Sequence, residues 1–331
     1  MIDSVLLYNS GGGIGDSIQI LPLIDTLKSE LKNTKFYYLS AHKNHFNTTL
    51  RDFNSKIDTL DLDIEYFGFR WWHSLIINKK IKKYNIKSFD LILDLQSKIR
   101  NSLILKMIPH KFFISTCLDF KLSNPNLNIK KEKKVYKTIL RAINLLFKKE
   151  YQINEYNLNK IDEKFFIESK KLLPKNNYVG LSITQGNIYR KKEWPLTNIV
   201  EICNFLVKNK KTPVFFIEKI NVELKNKIKR LIPMGLFPEH ETNLSTPALV
   251  TCLGKRLDFA ITIDNGVMHM LSLAKVPMII LFGPTDPEKF APEYKNSIVL
   301  DSKKLYNTKN ISTITVEDVL KVAKQYLNFS R

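Results

Sequence analysis

The sequence predicts two α/β domains in series, each a doubly wound parallel sheet with helices on both faces. The chain has 331 residues, more than one hydrophobic core usually serves. Short apolar runs alternate with amphipathic stretches along its length, a pattern typical of parallel sheets covered by helices. Polar and Gly-containing loops follow several of the apolar runs. Ligands of open α/β sheets bind beyond the carboxyl ends of the strands, so these loops are the candidate sites.

In the first half, strands and helices alternate in a regular order. The pattern predicts strands over residues 4–8, 35–40, 90–95 and 112–115. It predicts helices over 20–31, 71–84 and 135–147, and a further helix that follows the strand 90–95 and ends at about residue 107. Pro22 stands inside the first helical pattern, so we expect a kink or a late helix start there.

The second half repeats the alternation after a polar stretch at 173–177. Its pattern predicts strands over 178–183, 213–217, 259–263 and 277–282, and helices over 197–207, 222–231, 266–274 and 316–327. Thr315, with Asp318 three residues on, is a candidate N-cap of the last helix. We therefore divide the chain into an N-terminal domain (1–170), a C-terminal domain (171–315) and a terminal helix (316–331) that can pack back on the N-terminal domain.

Composition narrows the class of protein. Hydrophobic residues make up 44% and charged residues 25%, as in ordinary globular proteins. No apolar run is long enough for a membrane span, and the N-terminus does not resemble a signal peptide. The three cysteines, Cys117, Cys203 and Cys252, lack metal-type or redox-type spacing. We therefore expect a cytoplasmic protein.

The formal net charge of +20 is spread over both halves and comes mostly from lysine. A solvated surface is the favoured interpretation, and peripheral contact with an anionic membrane surface or an anionic acceptor is the alternative. Sequence-specific DNA readers depend on arginine for contacts to guanine, so a nucleic-acid partner is disfavoured.

The first candidate site is the loop Ser10-Gly11-Gly12-Gly13-Ile14-Gly15-Asp16, which follows the first strand. Its glycines allow a sharp turn and a close approach to a ligand. A dinucleotide-binding loop would have glycine in place of Asp16, so NAD binding is disfavoured. Asp16 is either a carboxylate held at the edge of a ligand cleft or a helix cap.

Three further loops follow strands of the second half. The segment Thr184-Gln185-Gly186-Asn187-Ile188-Tyr189-Arg190-Lys191-Lys192-Glu193-Trp194-Pro195 combines cations that suit a phosphate with a Trp-Pro pair that would anchor it to the core. Asp264-Asn265-Gly266-Val267-Met268-His269 sets an acid before a helix N-terminus, which suits an anion. His269 is either a packed histidine, the favoured interpretation, or a base. Gly283-Pro284-Thr285-Asp286-Pro287 is a rigid turn in which the Thr285 hydroxyl can hydrogen-bond a ligand.

Asp61-Leu62-Asp63, in the first half, has no accompanying carboxylate cluster, so a polar turn is favoured over a metal site.

Five motifs in this order resemble glycosyltransferase family 9, the heptosyltransferases. They are Gly15-Asp16 with Pro22, Asp90-Leu91-Ile92-Leu93-Asp94-Leu95-Gln96 with Arg100, Lys192-Glu193-Trp194-Pro195, Asp264-Asn265-Gly266-Val267-Met268-His269, and Gly283-Pro284-Thr285-Asp286-Pro287. The sequence departs from the family pattern at Asn265, where threonine is usual, at Met270 and Leu271, and at Asn187 and Ile188.

The resemblance implies a GT-B fold, two Rossmann-like domains facing a cleft, and inverting, metal-independent transfer of a heptose-like sugar. The N-terminal domain would bind the acceptor through Gly12, Gly13, Gly15, Gln96 and Arg100, with Asp16 as the general base. The C-terminal domain would bind the nucleotide-sugar donor, expected to be ADP-linked, through Thr184, Gly186, Lys192, Asp264, Asn265, Gly266, His269 and Thr285. No cofactor is implied, and the acceptor would be a lipopolysaccharide core or a similar glycolipid. The alternatives are a GT-B sugar-nucleotide epimerase and a non-catalytic protein that binds sugar nucleotides or polyanions.

Overall fold

A computed structural model describes residues 2–9, 13–41, 44–68, 70–96, 98–185 and 188–329. The chain divides into two compact units, unit 1 (Met1–Asn157) and unit 2 (Leu158–Arg331), each with its own five-stranded sheet. Our boundary at 170/171 differs from this division. The helix Glu163–Leu172 packs against the helix Pro247–Gly254, so it belongs to unit 2.

Unit 1 is a parallel sheet of strand order β3-β2-β1-β4-β5 with helices between the strands. Its strands are β1 (Ser4–Asn9), β2 (Lys35–Ser40), β3 (Asp58–Leu60), β4 (Phe89–Asp94) and β5 (His110–Ser115), and its helices are α1 (Ile14–Ile18), α2 (Leu21–Glu30), α3 (His73–Lys82), α4 (Ile99–Lys106) and α5 (Val135–Phe147). The central strands β1 and β4 are buried on both faces, which explains their nearly unbroken apolar runs. Pro22 stands in the first turn of α2, so the late helix start is confirmed.

Unit 2 repeats this architecture with the parallel strand order β10-β9-β8-β6-β7. Its strands are β6 (Tyr178–Ser182), β7 (Thr212–Phe215), β8 (Leu257–Ile263), β9 (Met278–Phe282) and β10 (Ser297–Asp301), and its helices are α6 (Glu163–Leu172), α7 (Leu196–Lys208), α8 (Val222–Leu231), α9 (Pro247–Gly254), α10 (Gly266–Leu273), α11 (Pro287–Phe290), α12 (Ser302–Tyr306) and α13 (Val316–Phe329). Two doubly wound α/β units are therefore confirmed.

The terminal helix α13 begins with the predicted cap. The Asp318 amide donates to the Thr315 hydroxyl at 3.2 Å, and the Thr315 amide donates to the Asp318 carboxylate at 2.9 Å. The helix packs against α7, β9 and β10, and Val316, Val319, Val322 and Ala323 lie in the core of unit 2. The expectation that it packs on the N-terminal domain is therefore corrected, because this apolar face is used within unit 2.

Several elements were not predicted from the sequence. Strand β3 has only three residues, and α6 lies in a segment whose many charges hide its apolar face, so neither gives a strong periodic signal. Strand β10 follows a Pro-containing segment that ends at Asn296 and carries only partly buried residues at its start. In the described part of the chain, no helix combines the length and the apolar character that crossing a bilayer requires.

Candidate functional site

The predicted site loops follow the two strands at which each sheet reverses its winding direction. In unit 1 the chain passes from β1 to β2 and β3 on one side, and then to β4 on the other side of β1. In unit 2 it passes from β6 to β7, and then to β8 on the other side of β6. Open α/β sheets bind ligands at this switch point, beyond the carboxyl ends of the strands. The loops after β1, β4, β6 and β8 are therefore the candidate site of each unit.

In unit 1 Asp16 follows the loop after β1 and lies in the first turn of α1. The N-cap of α1 is Gly13, and Asp16 is the third residue of the helix, partly exposed. Asp16 is therefore not the N-cap residue, and its role stays a prediction. The side-chain amide nitrogen of Asn9 donates to the Asp16 carbonyl oxygen at 3.1 Å, and the side-chain oxygen of Asn9 accepts a hydrogen bond from the Gln96 side chain. Two neighbouring strands thus fix the backbone that carries the carboxylate.

A buried phenol lies behind the same loop. The hydroxyl groups of Tyr38 and Ser17 are 3.3 Å apart, and Asn9 also hydrogen-bonds Tyr38. Burial raises the pKa of Tyr38 well above its usual range, and the negative charge of Asp16 adds to this effect. Tyr38 is therefore a neutral support for the loop and not a proton acceptor at physiological pH.

The loop after β4 is held by the buried carboxylate of Asp94. Asp94 accepts from the Gln96 amide at 3.0 Å, from the Ser115 hydroxyl at 2.8 Å and from the Ser102 hydroxyl. This fixes Gln96 beside Asn9 and begins α4, whose first turn carries Arg100. Gly13 and Gln96 thus lie in the loops of the unit 1 switch point, Gly15 and Arg100 lie in the first turns of the helices that follow, and Gly12 lies outside the described residues.

An open cavity of about 500 Å³ adjoins the ends of β2 and β3 in unit 1. Its polar lining residues are Ser40, Asn44, Asn47, Thr48, Asp61, Asp63, Glu65 and Tyr66. The Asp63 amide donates to the Asp61 carboxylate at 3.2 Å, so this pair forms the predicted polar turn. Hydroxyl, amide and carboxylate groups of this kind suit a polyhydroxylated ligand.

At the switch point of unit 2, Lys192 and Asp264 are in direct contact. The Lys192 ammonium donates to the Asp264 carbonyl oxygen at 3.0 Å and forms an ion pair with its carboxylate. The two side chains are only 12% and 8% exposed. The Lys192 amide donates to the Gln185 side chain at 2.7 Å, and the buried Trp194 indole donates to the Ile314 carbonyl oxygen at 2.9 Å. The predicted anchoring of this loop by Trp194 is confirmed.

Asn265 connects the two loops of this switch point. Its side-chain oxygen caps α10 by accepting from the Met268 amide at 3.0 Å. Its side-chain nitrogen donates to the Ser182 hydroxyl at 2.6 Å and to the Thr184 carbonyl oxygen at 2.8 Å. Threonine, the residue usual in the resembled motif, can cap the helix but lacks the second group. The departure from the pattern therefore adds a link between the loops after β6 and β8.

We expect Asn265→Ala to lower the free energy of unfolding by about 2–3 kcal/mol, because it removes the cap and two partly buried hydrogen bonds. Asn265→Thr should cost roughly half as much, since it keeps a cap. The matched control is Asn221→Ala, because the Asn221 side chain caps α8 through the Leu224 amide and makes no other hydrogen bond to the described residues. Urea unfolding measures all three variants, and equal losses for Asn265→Ala and Asn221→Ala would contradict the linking role.

The remaining predicted residues of unit 2 are placed as follows. Gly266 begins α10, and His269 is buried within that helix, in keeping with the packed interpretation. Gly283 packs so closely on Ile311 that a Cβ atom would lie 2.8 Å from the Ile311 side chain, so glycine is required there. The Thr285 hydroxyl is buried and has no hydrogen-bond partner among the described residues. Gly186 lies outside the described residues.

A model of the family described as glycosyltransferase family 9 (heptosyltransferase) matches residues 77–321, about three-quarters of the chain. The chain belongs to glycosyltransferase family 9. It is therefore a glycosyltransferase, and family membership favours sugar transfer over the epimerase and polyanion-binding alternatives. No curated protein sequence matches the chain at a significant level.

Solved structures of a family 9 protein and of two heptosyltransferases share the fold. The glycosyl transferase family 9 protein of Veillonella parvula DSM 2008 superimposes with a TM-score of 0.70 at 18% identity, covering 99% of this chain and 98% of that chain. E. coli heptosyltransferase WaaC with ADP gives 0.67 at 16% identity, covering 98% and 99%. E. coli ADP-heptose lps heptosyltransferase II gives 0.66 at 15% identity, covering 99% of each chain. The predicted GT-B fold, with two Rossmann-like units, is confirmed.

One acidic pair of this family 9 protein, Glu218 and Glu239, was not predicted from the sequence. Glu218 lies shortly after β7, and Glu239 is buried near it. Burial, followed by the negative charge of Glu218, raises the pKa of the Glu239 carboxyl to about 7. An acid after the second strand of a Rossmann-like unit is the signal that would have found Glu218. Glu239 gave no signal, because its burial depends on the tertiary fold.

This pKa predicts a pH-dependent stability. The carboxyl of Glu239 titrates near 4.5 when unfolded and near 7 when folded. The folded chain therefore holds an extra proton between these values, and the free energy of unfolding falls as pH rises through that window. Glu239→Gln should remove the fall, making the variant more stable than wild type by about 3 kcal/mol at pH 8 and equal to it near pH 4.

Thermal unfolding of wild type and variant across this pH range measures the difference. Glu241→Gln is the control, because it makes the same charge change at an exposed residue two positions away. A difference between wild type and Glu239→Gln that does not change with pH would contradict the assignment.

Proposed function

We propose that this glycosyltransferase moves a heptose-like sugar from a nucleotide-activated donor, ADP-linked in the simplest case, to a lipopolysaccharide core or a similar lipid-linked glycan. We propose further that the transfer inverts the anomeric centre and uses no metal ion. The observation that carries the proposal is the joined set of Lys192, Asp264 and Asn265 at the switch point of unit 2. The known E. coli proteins with this fold support the choice of donor, since one is solved with ADP and another is named for ADP-heptose.

Lys192 and the start of α10 suit the donor diphosphate. An ammonium group has three N–H donors, and Lys192 uses two of them on Asp264, which leaves one for a phosphate oxygen. The first amides of α10, at Gly266 and Val267, have no acceptor within the helix and carry partial positive charge. When the bond to the sugar breaks, negative charge grows on the leaving diphosphate. Fixed cations and amides stabilise that charge in the transition state.

The sugar and nucleoside of the donor have separate candidate partners. The second carboxylate oxygen of Asp264 would accept from a sugar hydroxyl, and a ligand would provide a partner for the buried Thr285 hydroxyl, which has none among the described residues. Glu218, after the second strand of the unit, matches the acid that binds ribose hydroxyls in Rossmann-like domains. His269 and Thr184 would line the same end of the sheet.

Asp16 would supply the base in unit 1. The attacking acceptor hydroxyl must lose its proton as it bonds to the anomeric carbon, and a carboxylate within hydrogen-bond reach accepts it. The nucleoside diphosphate leaves from the opposite face of the sugar, so a single displacement inverts the centre. Gly13, Gly15, Gln96 and Arg100 would position the acceptor around Asp16, and a lipid-linked acceptor would bring the enzyme to a membrane surface.

The test is thermal unfolding of the protein with a panel of nucleoside diphosphates and nucleotide sugars. A ligand that binds only the folded state raises the melting temperature, by several degrees at about 100 times its Kd. We expect ADP and an ADP-sugar to give the largest rise. A larger rise with UDP or GDP would overturn the ADP assignment, and a rise with DNA alone would overturn the donor site.

A further inference from the structure

The outward side of α3 exposes large apolar residues. Ile77 and Ile81 are buried against the sheet of unit 1, as a helix covering a sheet requires. Trp71, just before the helix, is 73% exposed, and Leu75, one turn later, is 70% exposed. Lys79 and Lys82 continue this outward row at helical spacing.

Helix α4 repeats the pattern beside α3. Ile99, Leu103 and Met107 recur every four residues and are all exposed, while Ile104 and Leu105 are buried. The two helices pack against each other. Gly68, in the turn before α3, lies directly against the Asn101 side chain of α4, so the beginnings of the helices are neighbours. The outward residues Trp71, Leu75, Ile99, Leu103 and Met107 therefore form one apolar patch, called here the α3–α4 surface.

The charges carried by the two helices have one sign. Residues 70–87 and 98–107 contain no Asp or Glu, and their basic residues are Arg70, Lys79, Lys80, Lys82, Lys83, Lys87, Lys98, Arg100 and Lys106. Two acids from outside lie toward the far end of α3: Asp63 approaches Lys80 at 3.6 Å, and the backbone of Asp61 hydrogen-bonds the Tyr84 hydroxyl. An exposed apolar patch rimmed by lysine matches an anionic bilayer, where aromatic and aliphatic groups enter the headgroup region and lysines meet the phosphates.

We propose that the α3–α4 surface docks this enzyme on an anionic lipid bilayer. Protein–protein interfaces contain fewer lysines than the rest of a protein surface, whereas this patch is rimmed by them, and a nucleic acid would gain nothing from exposed Leu75, Leu103 and Met107. Helices that follow parallel strands begin at the carboxyl edge of the sheet. The apolar ends of α3 and α4 thus lie at the edge of unit 1 that also carries Asp16. The inference rests on the proposed function only for the lipid-linked nature of the acceptor.

The experiment is sedimentation of the full-length protein with vesicles of phosphatidylcholine, with or without about one-third phosphatidylglycerol. Wild type should bind the anionic vesicles and bind neutral vesicles at least about tenfold more weakly. The double variant Trp71→Ser/Leu75→Ser should lose about tenfold or more in binding to anionic vesicles. The matched control is Leu231→Ser/Met234→Ser, which removes exposed apolar residues from unit 2 and should bind like wild type.

Equal binding by wild type and the Trp71→Ser/Leu75→Ser variant would overturn the proposal. So would failure of wild type to bind anionic vesicles, or binding to heparin without binding to vesicles. Sugar transfer to a delipidated, water-soluble acceptor separates the two hypotheses. The Trp71→Ser/Leu75→Ser variant should transfer sugar to this acceptor as wild type does. If wild type itself shows no transfer to it, the result counts against the proposed function and not against membrane docking by the α3–α4 surface.

Discussion

Replacing Asp16 by asparagine is expected to lower kcat for sugar transfer by about 10²- to 10⁴-fold, the usual contribution of a general base. The amide has nearly the same shape but cannot take the proton of the attacking hydroxyl. Asn9 holds the backbone carbonyl of residue 16, a contact that the substitution leaves intact, so the fold should not change. Donor affinity should stay within about twofold of wild type, because the donor partners lie in unit 2.

Steady-state kinetics with a saturating acceptor, together with donor titration, measures both quantities. Asp58→Asn is the control, since Asp58 is an exposed carboxylate of the same unit and lies at the amino end of β3, away from the candidate site. Its kcat should match wild type. A kcat for Asp16→Asn close to that of Asp58→Asn would rule out Asp16 as the base.

Replacing Lys192 by methionine is expected to weaken binding of the nucleoside diphosphate by about 10- to 100-fold, the value of a hydrogen bond to a charged group. Methionine keeps the apolar stem and removes the ammonium. The substitution also leaves the buried Asp264 carboxylate without its ion-pair partner, so some loss of stability will accompany the loss of affinity.

A second buried pair of unit 2 separates these two effects. Lys211 forms an ion pair with Asp258 at 2.7 Å, and the two side chains are only 14% and 18% exposed. These residues lie at the amino ends of β7 and β8, at the edge of the sheet away from the switch point. Lys211→Met should lower stability but leave diphosphate affinity unchanged, as isothermal titration will measure. Similar affinities for the two variants would show that Lys192 has only a structural role.

The sequence locates the candidate loops at the ends of strands, where the structure has them, because a polar loop after an apolar strand is a local pattern. The Gly-rich loop before Asp16, the cations up to Lys192 and the acid at Asp264 each follow an apolar strand that was also predicted. The ion pair between Lys192 and Asp264 was not foreseen, since the two residues are far apart in the chain and meet only because β8 pairs with β6. Their motifs are local, but their contact depends on the sheet order.

Other features depended on tertiary structure from the start. Helix α6 is assigned to unit 2 by its packing on α9, whereas the boundary drawn from the sequence left most of it in the N-terminal domain. Helix α13 has one apolar face, and nothing in the sequence says which unit that face covers. The raised pKa of Glu239 and the exposed residues of α4 likewise follow from what each side chain does or does not contact. An amphipathic pattern shows that a face exists, and the fold decides what covers it.

The most direct test of sugar transfer is the release of nucleoside diphosphate from an ADP-sugar, followed with and without a lipopolysaccharide-core acceptor and with and without a metal chelator. The proposal predicts release only when the acceptor is present, at a rate that the chelator does not change, with a product of inverted anomeric configuration. Conversion of the donor without any acceptor, or donor binding with no release under any condition, would contradict it.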